Sequence, residues 1–471
     1  MGLAYTIDSP IRVAQFGISS VISIIDDDLL EKMNAFYSNK FNLPYQEITK
    51  KVKDYRAERI TSYLNLVDTI VNEKFLKFKS ELSESKLALE NFIATLPNRS
   101  TTKEGLSNLL EDGFAFKEKI KNYLETYLKV GDIDVNIMTK VDKDNFVNGE
   151  QLPVEFNDAH ASLRGFANSK LSSSVVLSAG MNPRLYSYFE DFNDFFPDSK
   201  GQLKKKIILK VSDYRSAIIQ GKFLAKKGLW VSEYRIESGL NCGGHAFATD
   251  GFLLGPILEE FKNKKAELIQ DTHSVFVKGL SRKGLVVPEQ PLDLKCTVQG
   301  GVGTADEHEF LLKNYQVDSI GWGTPFLLVP EATSVDKQTR DLLANAKEKD
   351  LYLSGISPLG VPFNTIKGTT KAGSSCPKKF LALSKEFGPE GICTASKKYQ
   401  DVKLKELKAK KADVFSNMYE NAKAKITKKA CLCVGLSNSS YLEKDIKIKG
   451  QEQGVVICPG PNMAYFNEEV S

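Results

Sequence analysis

Residues 292–326 read LDLKCTVQGGVGTADEHEFLLKNYQVDSIGWGTPF, and this stretch decides the fold class. The run that ends at Val298 gives way to the glycine tract Gly300–Thr304 (GGVGT). A helical stretch, Asp306–Asn314, leads to a second run, Val317–Ile320, which ends in Gly321–Phe326 (GWGTPF). Upstream, the run Leu229-Trp230-Val231 precedes a third glycine mark, GLNCGGH at Gly239–His245. Glycines at the carboxyl ends of successive buried strands let the backbone come close to a bound group. In a β/α barrel the last two strand ends form a phosphate site.

Outward from that stretch, strands are expected at Val135–Val141, Ser174–Ser178, Lys206–Val211 and Leu229–Ile236, with helices at Ser212–Lys227 and Gly255–Ile269. Strands alternating with helices of this length imply a parallel sheet with crossover helices. Because the glycine marks follow three consecutive strands, the expected fold is α/β, a closed TIM (β/α)8 barrel over residues 131–335. Ile11–Ile25 (IRVAQFGISSVISII) is rich in β-branched residues and reads as one or two strands, so residues 1–26 supply the first barrel strand. Asp26-Asp27-Asp28 are N-cap candidates, and Ile60, Tyr63, Leu64, Val67, Ile70 and Val71 recur at helical spacing. Residues 27–130 therefore read as a helical insertion or cap. Residues 336–471 form a helical, Cys-containing C-terminal extension with a Lys-rich segment.

Composition sets the outer limits. Hydrophobic content of 42% and charged content of 26% are ordinary for a globular protein, and a net charge of +5 on 471 residues does not argue for nucleic acid. No apolar run reaches membrane-spanning length, and no basic segment with an apolar signal core opens the sequence. Seven cysteines, an odd number, fit a reducing cytoplasm better than a disulfide framework. A cytoplasmic protein without a membrane span is expected.

The glycine marks carry the chemistry. At Gly300–Thr304, backbone N–H groups converge on an anion as the helix Asp306–Asn314 begins, with the positive end of its dipole behind them. Gly323 and Thr324 supply donors from the next strand end. The alternative is a pair of tight turns with no ligand. His245 is one of four histidines and the one that stands in a glycine tract, where an imidazole has room to exchange a proton with a ligand. Its other reading is a loop hydrogen bond. His160, His273 and His308 lack such a setting and read as surface or packing residues.

ESGLNCGGH (Glu237–His245), Gly300–Thr304 and Gly321–Phe326 together resemble the FMN-dependent nitronate monooxygenase family, formerly 2-nitropropane dioxygenases. Glu331-Ala332-Thr333-Ser334, Leu342–Asp350 and Ile356–Phe363 (ISPLGVPF) resemble its trans-acting enoyl reductase subfamily from polyketide and polyunsaturated fatty-acid synthases. The resemblance covers residues 165–370. It implies that Gly243, Gly244, Gly300, Gly301, Gly303, Gly323 and Thr324 line the FMN phosphate and ribityl chain, and that His245 is the catalytic base or proton donor. Ser178, Asn182 and Gly17 are placed near the ring without a motif to fix them. The implied reaction is NAD(P)H-dependent reduction of a small-molecule or carrier-bound acyl substrate such as an enoyl thioester. Nitronate oxidation with O2 is the competing chemistry, and an electron-transfer partner subunit without turnover is the competing class. The sequence departs from the family at Leu240–Cys242, in the insertion and in the tail.

Five cysteines, Cys376, Cys393, Cys431, Cys433 and Cys458, fall in the tail at separations of 17, 38, 2 and 25 residues. Cys376, Cys393, Cys431 and Cys433 are the candidate ligands for zinc or an iron–sulfur cluster, although paired C-x-x-C elements are absent. Separate buried or redox-active thiols are the other reading. Lys397–Lys429 is lysine-rich and reads either as a solvated helix face or as a dock for an acidic carrier or redox protein. Aromatic interleaving for base stacking is thin there, so no nucleic-acid partner is expected.

Overall fold

A computed structural model describes residues 4–98, 100–111, 116–137, 142, 144–147, 149–177, 180–237, 253–300, 302–354, 363–369, 404–409, 419–421, 423, 432–446 and 455–457. Its centre is a seven-stranded sheet: β1 (Ser20–Ile24), β2 (Ile133–Ile137), β3 (Ser174–Leu177), β4 (Lys206–Val211), β5 (Val231–Ile236), β6 (Lys295–Gln299) and β7 (Ser319–Gly321). The strands lie in chain order and each neighbour pair is parallel. Such an order has no switch point, so the sheet winds one way, as a barrel wall does.

The wall curls. On a flat sheet β2 and β5 would lie about 14 Å apart, three spacings of about 4.8 Å. Yet Asp134 on β2 and Arg235 on β5 meet at 3.4 Å. Alternate residues explain what each face holds. Val135, Ile137, Leu209, Tyr234, Ile236 and Val298 are buried in the main core, while Asp134, Asn136, Lys210, Glu233, Arg235 and Thr297 occupy the intervening positions.

Helices follow the strands. They include α1 (Ser9–Val13), α2 (Asp27–Lys40), α3 (Tyr55–Glu84), α4 (Lys86–Thr95), α5 (Thr101–Glu111), α6 (Phe116–Tyr127), α7 (Asp158–Ala167) and α8 (Pro183–Tyr188). Then come α9 (Tyr214–Ala225), α10 (Leu254–Lys283), α11 (Ala305–Tyr315), α12 (Lys337–Asn345) and α13 (Leu432–Glu443). Between β1 and β2, α3 carries Ile60, Tyr63, Leu64, Val67, Ile70 and Val71 into the main core. Its far end, Leu82, instead joins Leu89, Phe92, Ile93, Leu106, Ile120 and Leu124 in a second, separate core. Where α9 crosses α10, Gly279 allows the backbones to touch: a Cβ there would stand 2.5 Å from the Ala225 carbonyl oxygen.

The start of the sheet differs from the sequence expectation. Ile11–Val13 is helical, not extended, because Pro10 stands in the first turn of α1 and presets its φ. Gly17, at φ +81°, closes the following 3-10 turn, and extended backbone begins at Ser20. Gly17 thus precedes β1 and lies at the amino end of the sheet. Among the described residues there are seven strands in the sheet and no pairing between β1 and β7, so a closed eight-stranded barrel is not formed by them. Residues near the amino end pack beside the segment after β7: Ser334 donates its N–H to the Tyr5 carbonyl at 2.7 Å, and Ser9 Oγ donates to the Ala332 carbonyl at 2.5 Å.

The C-terminal elements pack onto the same region. An antiparallel hairpin pairs Leu351–Ser354 with Phe363–Ile366. The Ser437 and Ser439 hydroxyls of α13 donate to Asp26 at 3.0 Å and Asp336 at 2.9 Å, and Ser440 Oγ lies 2.8 Å from Ser334 Oγ. Asp8, fully buried, meets Lys444 Nζ at 2.9 Å and Arg12 at 2.8 Å. Among the described residues no helix is long and apolar enough to cross a membrane.

Candidate active site

The concave face of the sheet is lined by charge. Arg235 bridges Asp134 at 3.4 Å and Glu233 at 2.8 Å, and the Thr297 hydroxyl donates to Glu233 at 2.6 Å. Burial pushes the Asp134 carboxyl up to about 6, with Arg235 pulling against it. Beside them Asn136 Nδ2 donates to Ser23 Oγ at 2.7 Å, linking β2 to β1. An inner face of this kind is polar because each charge finds a partner across the curled wall. An unpaired charge there would carry a heavy desolvation cost.

At the carboxyl ends of the strands this lining becomes a cluster. Lys210, near the end of β4, lies 3.3 Å from Glu237, the first residue after β5, and Gln299 Nε2 at the end of β6 donates to Glu237 at 3.0 Å. Glu237 is 6% exposed, so the acid is withdrawn from water and held from two sides. Its own N–H donates to the Val211 carbonyl at 2.9 Å, which fixes where the chain leaves the sheet. The Lys210 ammonium is thereby positioned at the mouth of the sheet, where it can stabilise negative charge on a bound group.

The last two strand ends carry the glycine turns side by side. Gly300 has φ +82°, a left-handed conformation that favours glycine, and its N–H donates to the Gly321 carbonyl at 3.4 Å. Trp322 Nε1 donates to His308 Nδ1 at 2.8 Å, tying the turn after β7 to α11. The α11 N-terminus has a capping box: Glu307 N–H donates to Thr304 Oγ1 at 3.2 Å, while Glu307 Oε2 accepts from Gly303 N–H at 2.8 Å and Thr304 N–H at 3.1 Å. The amides at this helix start are therefore already engaged by a carboxylate. Gly323 and Thr324 open a short 3-10 helix, Thr324–Leu328, at the next strand end.

Gly300, Gly303, Gly323 and the Thr324 backbone thus share the carboxyl side of β6 and β7. Gly243, Gly244, His245, Gly301, Ser178, Cys376, Cys393, Cys431 and Cys458 lie outside the described residues. Cys433 belongs to α13. Asn182 is the N-cap of α8 and accepts the Leu185 N–H at 3.2 Å. Gly17 is at the other end of the sheet, so it cannot join these groups. His308 is the acceptor for Trp322, His160 is buried beside Asp142, and His273 is packed edge-on to Trp230. Cys296 is buried and its thiol is pushed up to about 12 by that burial, which makes it unreactive. Among the described residues, no three His, Cys, Asp or Glu side chains are grouped to hold a metal ion.

No protein-family model matches the chain, and no curated protein matches it. Among solved structures it is similar to the enoyl reductase domain of MlnA from the macrolactin biosynthesis cluster of Bacillus amyloliquefaciens. That likeness spans 80% of this chain and 81% of the other, at 12% identity and a TM-score of 0.34. A likeness so slight carries no argument for fold or function.

Sequence reasoning missed Asp134, Lys210, Glu233, Arg235, Glu237 and Gln299. Their signal was present in part: IDVNI alternates at Asp134 and Asn136 and VSEYRI at Glu233 and Arg235, while KIILKV carries Lys210 one residue before its end. A parallel strand covered on both faces reads as a near-continuous apolar run, so that alternation marks a polar interior.

Proposed function

We propose that this chain is an FMN-dependent oxidoreductase that reduces an enoyl thioester or related acyl substrate with NAD(P)H. The observation that supports it most is the pairing of Gly300 with Gly321, which sets two glycine turns together at the carboxyl ends of β6 and β7 beside the Lys210–Glu237–Gln299 cluster. The fit to FMN has two parts. A left-handed Gly300 and adjoining turns leave backbone close at hand for a phosphate, and Lys210 supplies a cation for the ring. Against this, the Gly303 and Thr304 amides are held by Glu307 and the Gly300 amide by the Gly321 carbonyl, so a phosphate would displace that carboxylate or take its donors from Gly301, Gly323 and Thr324.

When bound, FMN supplies the two-electron carrier that no side chain offers. Gly243 and Gly244 would line the ribityl chain and His245 would hold or release the proton that accompanies reduction. Glu237 is the last described residue before Gly243, Gly244 and His245, and its anchoring by Lys210 and Gln299 would fix where the chain leaves β5 toward them. The resemblance after the barrel, at Glu331–Ser334 and Ile356–Phe363, favours the enoyl reaction over nitronate oxidation with O2.

His245→Ala tests the assignment. The variant is expected to retain FMN and to lose turnover with NAD(P)H and an enoyl thioester. Unchanged turnover would remove His245 from proton transfer, and a protein that cannot be reconstituted with FMN would end the whole reading.

A zinc or iron–sulfur centre on Cys376, Cys393, Cys431 and Cys433 would add an electron-transfer role. Iron, zinc and acid-labile sulfide assays on protein purified without oxygen decide between a centre and separate thiols.

A further inference from the structure

We propose that Lys205 is a tethered stand-in for a bound monovalent cation, filling a cage of backbone carbonyls that clamps the entries of β3 and β4. The same cage takes potassium or ammonium ion when that side chain is removed. Lys205 stands one residue before β4 and is 0% exposed. Its Nζ donates to the carbonyls of Phe166 at 2.9 Å, Ser169 at 3.0 Å and Leu171 at 2.9 Å, and lies 3.4 Å from Ser169 Oγ. All four acceptors are neutral. The Asp194 carbonyl receives the Lys205 N–H at 2.9 Å, but the Asp194 carboxylate turns to Lys204 at 2.7 Å.

A buried charge without a counter-ion is costly, and here dipoles offset that cost. Phe166 belongs to the last turn of α7, where free carbonyls and the negative end of the helix favour a cation. The Ser169 hydroxyl donates its own proton to the Phe166 carbonyl at 2.6 Å, so its oxygen can only accept from the ammonium. The Phe166 ring closes one side, its centroid 4.5 Å from Nζ. Burial lowers the ammonium to about 8, Lys204 adds to the fall, and Asp194 and Asp68 oppose it. The charge therefore persists at neutral pH.

Three carbonyls and a hydroxyl converging on one compact cation are the donor set of a potassium site, where carbonyl oxygens replace a hydration shell. Carbonyl distances of 2.9 to 3.0 Å exceed the about 2.0–2.6 Å that magnesium and calcium require. A guanidinium is a flat fork and does not serve three converging carbonyls, whereas an ammonium has three donors on one charge. The clamp bears on the sheet, because the cage precedes β3 by a few residues and Lys205 directly precedes β4. Beside it the Lys206 N–H donates to the Ser173 carbonyl at 3.0 Å, where the register of Ser174 opposite Lys206 begins. A slip of one residue in β4 would turn Lys210 out of the concave face.

The test follows thermal unfolding of the full-length chain at neutral pH in about 0.1 M potassium, ammonium or choline chloride, choline being too bulky to enter. Lys205→Ala is expected to melt several degrees lower in choline chloride and to regain roughly half of that loss in the other two salts. Lys205→Met, which fills the channel with apolar atoms, should fall as far and regain nothing. The native protein should not distinguish the salts. An alanine variant equally low, or equally unable to fold, in all three salts would overturn the proposal. So would a methionine variant as stable as the native protein, or a native protein with the same salt preference. One check needs no variant: acetic anhydride should modify the exposed Lys204 and Lys206 at once, and Lys205 only as the protein unfolds. Equal modification of all three, read by mass spectrometry, would put the ammonium outside the cage and end the proposal.

Discussion

Asp134 and Arg235 meet at 3.4 Å across the concave face of the sheet, although β3 and β4 lie between their strands. The pair therefore measures curvature. It can form only while the wall is bent, and in forming it offsets the cost of two charges held away from water.

Replacing Arg235 by Met leaves Asp134 and Glu233 without their shared cation. A loss of about 3–5 kcal/mol in unfolding free energy is expected, the range for one partner removed from a buried pair. Urea denaturation followed by circular dichroism measures it. The double variant Arg235→Met with Asp134→Asn should recover part of the loss, because it removes one of the stranded acids.

The pH profile follows from two raised carboxyls. Burial lifts Asp134 to about 6 against the pull of Arg235, and lifts Asp26 to about 6 against hydrogen bonds from Leu29 and Ser437. Each binds its proton more tightly folded than unfolded. Their stabilising contribution is therefore complete below the ordinary Asp range, fades as pH rises through about 4 to 6, and is absent above. Asp8 behaves oppositely. Burial would raise it, but Arg12 and Lys444 hold it at about 2, so its contribution is lost only as pH falls toward 2. The urea midpoint should rise between pH 7 and pH 5, and the double variant Asp26→Asn with Asp134→Asn should flatten that rise.

Glu307 occupies the amides of Gly303 and Thr304 at 2.8 and 3.1 Å, where a phosphate would otherwise sit. Glu307→Ala should weaken the α11 cap by about 1 kcal/mol. It should also tighten FMN, because two donors are freed and a negative charge is removed. Fluorescence titration with FMN and with riboflavin separates the two effects. A gain for FMN that riboflavin does not share places the phosphate at this turn, and weaker FMN binding would place it elsewhere.

β5 to β7 were legible because their runs led to glycine tracts, β3 and β4 as apolar runs alone, and all five fall where the sequence put them within a few residues. Ile11–Val13 misled because β-branched composition suggested a strand while Pro10 set a helix. The polar lining was invisible to a reading that sought buried strands by hydrophobicity. Lys210 and Glu237 become a pair only once β4 and β5 are in register, with Lys210 opposite Arg235. Turn glycines are legible locally, whereas a charge cluster assembled from three strands is a product of the fold.

The Tyr5 hydroxyl donates to the Val456 carbonyl at 2.7 Å, joining residues 451 positions apart. Arg12 reaches Glu443 at 3.0 Å, and Ser437 reaches Asp26 at 3.0 Å. On a ribosome adding about 5–20 residues per second, the first of these groups waits tens of seconds for its partner. The region around β1 must stay incomplete through that interval, with its apolar surface open to chaperones or to other chains. Such long-range closure predicts slow folding, in which the second core formed by α3 to α6 can settle first. The seam that holds α13 in place thus also sets when this protein is finished.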